Sequence, residues 1–306
     1  MKVVVTGAAG MLGREIVDAW GSGRPQDELI ALDRSRLELS DASDVDAFVA
    51  REKPDLIVHT AALVRGIAER IAHPTRFLLD NVIMDSNLLN SARKHGVKNF
   101  VYISSAAIYP ETDDGTFSEQ DILTGPLEPA SETYGLSKIL GTKLCASISH
   151  EDGLNYRALI PCNIFGHEAL SENAASHLLG AALKKTLDAA RDGGPVEIWG
   201  DGQSRREFVA ATDIAKWIAL SAENLAGWDS VMNIGFGQDH AITDYYRWAA
   251  EVVGVTPEFT FNSDKPNGVR RRLLDSTLAR SRGWNPETKP LTGIQWIFDD
   301  YRAETC

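Results

Sequence analysis

Apolar positions along the first half of the chain switch repeatedly between two periods. Val3, Val4 and Val5 form a β-branched run of the kind that fills a strand buried on both faces. From Met11 the period lengthens, and Leu12, Ile16 and Trp20 recur at helical spacing. Residues 28–33 predict a second strand, and Val45, Phe48 and Val49 mark a short helix that stops at Pro54-Asp55. Leu56–His59 predicts a third strand. Leu78, Val82, Met84, Leu88, Leu89 and Ala92 predict a long helix over 77–95, closed by Gly96. Residues 99–104 read as a fourth strand, 134–148 as a helix, and 156–160 as a further strand before Pro161. Strand, helix, strand in repetition predicts an α/β protein built on a Rossmann-type, doubly wound parallel sheet. Ligands of such sheets lie beyond the carboxyl ends of the strands. Here those ends are the Gly7 turn, Asp33, His59, Ser105, and Pro161 with Cys162 and Asn163.

The alternation then loosens. Residues 171–190 predict a helix, Val196–Trp199 a strand, and Gly200-Asp201-Gly202 a turn. A helix over 212–222 has Thr212 as its expected cap and Asp213 in its first turn. A strand at 232–234, a helix at 242–253 and a tail helix at 291–301 follow, with no repeat or extended linker. The expected division is a dinucleotide-binding unit over 1–164, with 207–236 returning to it. Residues 165–306 would mainly form a smaller substrate-binding lobe.

Composition narrows the function. The chain has 306 residues and a formal net charge of −12, which argues against a nucleic-acid binder. It leaves an anionic small substrate open, because local arginines can hold a phosphate on an acidic protein. The three cysteines, Cys145, Cys162 and Cys306, are scattered, which suggests reduced thiols and a cytoplasmic protein. No apolar run approaches the roughly 20 residues that span a membrane. The histidines, His59, His73, His95, His150, His167, His177 and His240, lack ligand spacing, so no metal site is expected.

Gly7, Gly10 and Gly13 lie between the first strand and the first helix. In that place the first allows a tight turn, the second a close approach of backbone to phosphate, and the third close packing of helix on strand. The helix N-terminus adds free N–H groups and a partial positive charge, so a dinucleotide pyrophosphate is the expected occupant. Asp33 ends the second strand, where a carboxylate can accept from an adenosine ribose hydroxyl and favour NAD. Arg34 and Arg36 can instead meet the 2′-phosphate of NADP. Tyr134 and Lys138 stand four apart on one predicted helix face. A free tyrosine titrates near pH ~10, and an adjacent ammonium favours its phenolate. Tyr and Lys are also common on solvated helix faces. Ser104 and Ser105 end the fourth strand, where a hydroxyl can bond a substrate carbonyl or simply close a turn.

Together these pieces resemble the extended short-chain dehydrogenase/reductase family, also called the NAD-dependent epimerase/dehydratase family. The GxxGxxG turn, the serine ending the fourth strand and YxxxK all match it. Within that family the chain is similar to the fucose-synthase branch, which acts on GDP-4-keto-6-deoxymannose as epimerase and reductase. SSAAIYP at 104–110 resembles the branch's SSCIYP, LEPASETYGLSK its LEPTNEPYAIAK, and Ile160-Pro161-Cys162-Asn163 its MPTN. EIWGDGQSRREF and KPNGVRRRLLD resemble further segments of the branch. The resemblance implies that Tyr134 donates a proton to the C4 oxygen, Ser105 holds the carbonyl, and Lys138 binds the nicotinamide ribose and lowers the Tyr134 pKa. His177 matches the acid of C3 and C5 epimerisation. Gly7, Gly10, Met11, Leu12, Gly13, Ala61, Pro161 and Asn163 fall at cofactor positions. Asn163, Lys185, Trp199, Arg206 and Arg271 fall at substrate positions. Trp199 can contact the base or fill core, and Arg270 and Arg272 can be a solvated basic run.

One departure bears on mechanism. The branch's cysteine base falls on Ala107, and a methyl group removes no proton. The resemblance therefore implies an NAD(P)H-dependent reductase of a GDP-4-keto-6-deoxyhexose or related GDP-sugar, with or without epimerisation. It favours NADP, and it implies a homodimer through the helices at 77–95 and 134–148. A nucleotide-sugar 4-epimerase or dehydrogenase that retains NAD, and a non-catalytic dinucleotide sensor, remain alternatives.

Overall fold

A computed structural model describes residues 1–112, 115–167, 177–265 and 269–305. In chain order the elements are β1 (Lys2–Thr6), α1 (Met11–Gly23), β2 (Glu28–Leu32), α2 (Ala42–Glu52), β3 (Leu56–His59), α3 (Ile67–Ala72), α4 (Pro74–Lys94) and β4 (Asn99–Ile103). Next come β5 (Thr116–Phe117), α5 (Glu132–Asp152), β6 (Asn155–Pro161), β7 (Asn163–Phe165), α6 (Leu178–Asp192), β8 (Val196–Trp199), β9 (Arg205–Ala210) and α7 (Ala211–Ser221). The chain closes with β10 (Val231–Ile234), β11 (Asp239–Ala241), α8 (Ile242–Val253), β12 (Phe259–Asn262), β13 (Arg271–Leu274), α9 (Thr277–Ser281) and α10 (Pro290–Thr305).

Strands in the order β10-β6-β4-β3-β1-β2 form one sheet, and every neighbouring pair is parallel. Pleating sends alternate side chains to opposite faces. Val3, Val5, Leu56, Val58, Val101 and Ile103 join one core with Leu12, Ile16 and Trp20 of α1 and Ile214 and Ile218 of α7. Val4, Ile57, Phe100 and Tyr102 join the other, with Phe48 of α2, Leu88 and Leu89 of α4, and Cys145 and Ile148 of α5. Both faces are therefore covered, which is why these strands read as continuous apolar runs. The expected α/β, doubly wound parallel sheet is the observed one.

Local signals set several element ends. The Asp41 side chain accepts the Ser43 and Asp44 amides at the start of α2, an N-cap that satisfies otherwise unpaired donors. Pro74 opens α4 three residues before the expected start, and Gly96, at φ +71°, follows its end. The expected Thr212 cap is displaced. Ala210 is the N-cap of α7, with no side-chain cap bond, and Thr212 lies inside the first turn. Asp213 instead accepts the Glu287 and Thr288 amides and ties α7 to the tail segment. Of the helix expected at 171–190, residues 171–176 lie outside the described residues, and α6 begins at Leu178 with His177 as its cap.

A second sheet, β11-β9-β13-β5 with β7 also on β9, is entered from the first, since β7 follows β6 and β11 follows β10. A third small core packs α6, α8 and α10 around it through Phe165, Leu183, Phe208, Tyr245 and Ile294. No helix among the described residues is long and apolar enough to cross a membrane.

Candidate active site

The glycine turn is a cradle that side chains would fill. Gly7 has φ +67°, and a Cβ there would lie 2.7 Å from the Ala61 amide nitrogen. A Cβ on Gly13 would lie 2.1 Å from the Gly7 carbonyl oxygen, so α1 rests directly on the turn. Gly10 is the N-cap of α1 and offers no capping side chain, so its end of the helix presents bare amides. Met11 and Leu12 open the helix behind it. This arrangement fits a dinucleotide pyrophosphate. Ala61, Pro161 and Asn163 sit at or just past the carboxyl ends of β3 and β6, around the same edge. The Asn163 side chain donates to the Glu207 carbonyl at 2.8 Å and so fixes β7 to β9.

Asp33 is turned into its own loop. Its Oδ1 accepts the Ser35 amide at 2.9 Å, the Arg36 amide at 3.2 Å and the Ser35 hydroxyl. The Ser35 hydroxyl, ahead of any burial effect, holds this carboxyl below its ordinary range. Arg36 donates to the Ala31 carbonyl, while Arg34 is exposed and pairs with exposed Glu38 at 3.3 Å. An exposed pair of that kind is cheaply exchanged for another anion.

The candidate catalytic residues Ser105, Tyr134 and Lys138 lie where α5 meets the turn after β4. Ser105 caps the turn Ala106–Ile108, and its Oγ accepts the Ala107 amide at 3.2 Å. With that lone pair occupied, the hydroxyl proton is free to donate to a carbonyl. Tyr134 is buried and packs with Ala107 and Phe77 in one small cluster, with Leu63 at its margin. A Cβ on Gly135 would lie 2.5 Å from the Ala107 carbonyl oxygen, so this glycine lets α5 reach the turn. Lys138 follows Tyr134 by one helical turn, and its Nζ donates to the Ile103 carbonyl at 3.1 Å. Arg70 lies over the Tyr134 ring at 5.9 Å and donates to the Ser131 hydroxyl at 3.0 Å.

Ala107 thus sets a methyl group in the cluster with Tyr134. Cys145 and Cys162 are both buried, and burial pushes each thiol up, which disfavours the thiolate a base would need. His177 is the N-cap residue of α6, and burial of its ring, ahead of the nearby Arg70 and Arg65 charges, lowers its pKa.

On the substrate side, Trp199 is 52% exposed, so it does not fill core. Lys185 and Lys265 stand over its ring at 5.1 and 5.6 Å, and Lys185 also donates to the Glu197 carbonyl. Strand pairing sorts the arginines. Arg205 lies opposite Arg271 and Arg206 opposite Arg272 in the β9–β13 ladder. Arg205 and Arg271 both bind Asp239, at 2.8 and 2.6 Å. Arg206 is half-buried, donates to the Arg205 and Val269 carbonyls, and feels the Arg272 charge. Arg272 Nη1 is 3.9 Å from Glu128, while its Nε and Nη2 are buried without a partner among the described residues. The structure therefore puts Arg272 beside Arg206, and engages Arg271 with Asp239. Among the described residues no cluster of three or more His, Cys, Asp or Glu could hold a metal.

Comparison with known proteins agrees with this architecture. The model of the NAD dependent epimerase/dehydratase family matches residues 3–235. The chain belongs to that family. A GDP-L-colitose synthase from Yersinia pseudotuberculosis is 36% identical over 297 residues, 96% of each chain. A GDP-L-fucose synthase from Azorhizobium caulinodans is 37% identical, covering 98% of this chain and 96% of the relative. Among solved structures, a GDP-6-OMe-4-keto-L-xylo-heptose reductase from C. jejuni superposes with a TM-score of 0.90 at 25% identity, covering 99% of this chain and 98% of the other. A GDP-mannoheptose C4 reductase from Campylobacter jejuni with NADP bound reaches 0.87 at 26% identity, covering 98% of each.

This epimerase/dehydratase family member is thus an NAD(P)-dependent enzyme of the oxidoreductase/epimerase type. Sequence reasoning gave no role to Asp85, which meets His59 and Lys138, to Arg70, which lies over the Tyr134 ring, or to Glu207. Asp85 did leave a signal, since it shares the apolar stripe of α4 with Leu88, Leu89 and Ala92 at helical spacing.

Glu207 is fully buried on β9, where its carboxylate accepts the Gly237 amide at 2.6 Å and the Leu274 amide at 3.0 Å. Burial outweighs those bonds and pushes the carboxyl up to about 7. The folded chain then keeps a proton that the unfolded chain releases near its ordinary value of 4.5. Stability from this group is full below that value and declines as pH rises to about 7. The expected result is a thermal midpoint that falls across this window relative to Glu207→Gln, followed by calorimetry at matched pH values. Parallel pH curves for the two proteins contradict it.

Proposed function

We propose that this enzyme is an NADPH-dependent nucleotide-sugar reductase that reduces the C4 ketone of a GDP-4-keto-6-deoxyhexose or related GDP-sugar, without C3 and C5 epimerisation. The observation that carries this reading is Ser105, Tyr134 and Lys138 converging at the sheet edge while Ala107 occupies the place of the base. A bound nicotinamide cofactor supplies hydride there. The chain supplies the rest. Ser105 donates to the ketone oxygen, Tyr134 gives that oxygen its proton, and the Lys138 ammonium offsets the phenolate left behind. His177 then has no partner base for exchange at carbon.

NADP is favoured over NAD because Asp33 Oδ1 already accepts from Ser35 and Arg36 in its own turn, and exposed Arg34 can exchange Glu38 for a phosphate. The GDP-sugar assignment is supported by the names of the colitose and fucose synthases and of the heptose reductase. Exposed Trp199 offers a face for the base, and half-buried Arg206 and Arg272 offer guanidiniums for the diphosphate. The proposed division assigns 1–164 and 207–236 to the cofactor half and most of 165–306 to the substrate half. The placing of β10 in the large sheet and α7 against α1 support it.

We also propose a cytoplasmic homodimer. Cys145 and Cys162 are free, and Leu79, Leu136 and Leu140 are exposed on the adjoining helices α4 and α5. A single 33.4 kDa mass by light scattering contradicts the dimer. The function itself is tested by nicotinamide absorbance. NADPH is consumed with GDP-4-keto-6-deoxymannose and is not consumed with the 4-hydroxy sugar; no consumption with any GDP-keto-sugar overturns the reading.

A further inference from the structure

Lys138 is enclosed by a polar cluster that the reaction scheme leaves unused. Asp85 on α4 is completely buried, and His59 on β3 and Lys138 on α5 are 1% and 2% exposed. Asp85 Oδ1 lies 2.9 Å from His59 Nε2, and His59 Nδ1 lies 2.7 Å from the Thr6 hydroxyl on β1. The Tyr102 hydroxyl on β4 donates to Asp85 Oδ2 at 2.5 Å, and that oxygen stands 3.9 Å from Lys138 Nζ. Lys138 Nζ also lies 4.6 Å from the Tyr102 ring centroid. Cys145 on α5 faces the same cluster; burial pushes its thiol up, and the Asp85 charge pushes it further.

A carboxylate is costly to bury and persists only where cations or donors surround it. Burial drives the Asp85 carboxyl upward, but the Lys138 charge and the His59 and Tyr102 hydrogen bonds outweigh it and hold the group below its ordinary range. The dependence runs both ways. An ammonium has three donors, and one is taken by the Ile103 carbonyl. A lysine buried without a counter-charge sheds its proton, because desolvation penalises the charged form. A neutral amine no longer offsets the phenolate that proton donation leaves on Tyr134.

We propose that Asp85 is a positioning residue that keeps Lys138 charged and anchored beside Tyr134, with His59 fixing the carboxylate and the Tyr102 hydroxyl sharing the oxygen that faces the ammonium. This rests on the reductase reading only in its use of Tyr134 as proton donor. Burial of five polar groups from β1, β3, β4, α4 and α5 in one contact network is hard to account for as packing alone, since an apolar set would close the same space at lower cost.

Asp85→Asn keeps the shape and removes the charge. The first readout needs neither cofactor nor substrate: the Cε resonance of Lys138 in lysine-labelled protein, assigned through Lys138→Arg and titrated with pH. The second is the pH dependence of kcat for NADPH oxidation. Both transitions are expected about one pH unit or more below those of the wild type. A folded Asp85→Asn protein, checked by circular dichroism, that titrates as the wild type does, or loses kcat equally at every pH, overturns the proposal. If Asp85→Asn does not fold, Tyr102→Phe carries the test. It frees Oδ2 to close on the ammonium, so the Lys138 transition moves to higher pH; an unmoved or lowered transition overturns the proposal. A wild type that oxidises no NADPH while the resonance still shifts as stated refutes the reductase reading and leaves the positioning role standing.

Discussion

Tyr134→Phe lowers kcat for ketone reduction by about 10²–10⁴-fold, the range that one positioned proton donor supplies. The loss is chemical and not structural. The Tyr134 ring sits in the apolar cluster of Phe77 and Ala107, which a phenyl group fills equally well. Its cation–π contact with Arg70 uses the ring face and also survives. Lys138 keeps its bond to the Ile103 carbonyl, so the cofactor side of the site is untouched. NADPH affinity, followed by the change in its fluorescence, is therefore expected to stay near that of the wild type while steady-state turnover collapses. A variant with near-wild-type kcat contradicts the assignment of Tyr134 as the donor.

Gly13→Val abolishes cofactor binding by a different route. The new Cβ would lie 2.1 Å from the Gly7 carbonyl oxygen, 2.7 Å from the Gly7 carbonyl carbon and 2.9 Å from the Ala8 Cα. All three are backbone atoms, so no flexible side chain can yield. Either α1 lifts from β1 or the turn opens, and both spoil the aim of the amides. Overpacking of this kind costs about 1–3 kcal/mol of stability. The affinity loss is larger: an NADPH Kd weakened at least about 100-fold corresponds to roughly 2.7 kcal/mol. Gly10→Ala is the contrast. Its Cβ would meet only the Gly7 carbonyl oxygen at 3.2 Å, so the empty fold tolerates it while an approaching phosphate does not. Calorimetric titration with NADPH and thermal melts separate the two. A Gly13→Val protein that binds NADPH normally contradicts the cradle.

These contrasts show what a linear sequence can carry. The β1 strand, its glycine turn and α1 are contiguous, and their periods change within a few residues, so both element type and ligand class were readable. The alternation that followed fixed a parallel sheet because each strand was long enough to show its apolar character. The second sheet was not legible. Strands β5, β7 and β11 have two or three residues each, too few to show a period. Strand β9 opens on Arg205, Arg206 and Glu207, which look like a solvated run until Asp239 and the Gly237 amide are seen to meet two of them.

The same limit governs the candidate site. Resemblance singled out Arg271 from three successive arginines, but facing in a strand is set by register, and register with β9 turns Arg272 toward Arg206. Trp199 was equally compatible with core and base contact until its exposure decided against core. Asp85 needed three dimensions to acquire meaning: an acid on an apolar stripe becomes intelligible only when His59, Tyr102 and Lys138 arrive from other elements.

The most direct test of the central claim is one reaction in D₂O with enzyme, NADPH and GDP-4-keto-6-deoxymannose, followed by nicotinamide absorbance and by NMR of the product. The expected result is NADPH oxidation with protium retained at C3 and C5, because Ala107 offers no base beside Tyr134. Deuterium at C3 and C5 accompanying oxidation would contradict it and require another residue to remove those protons.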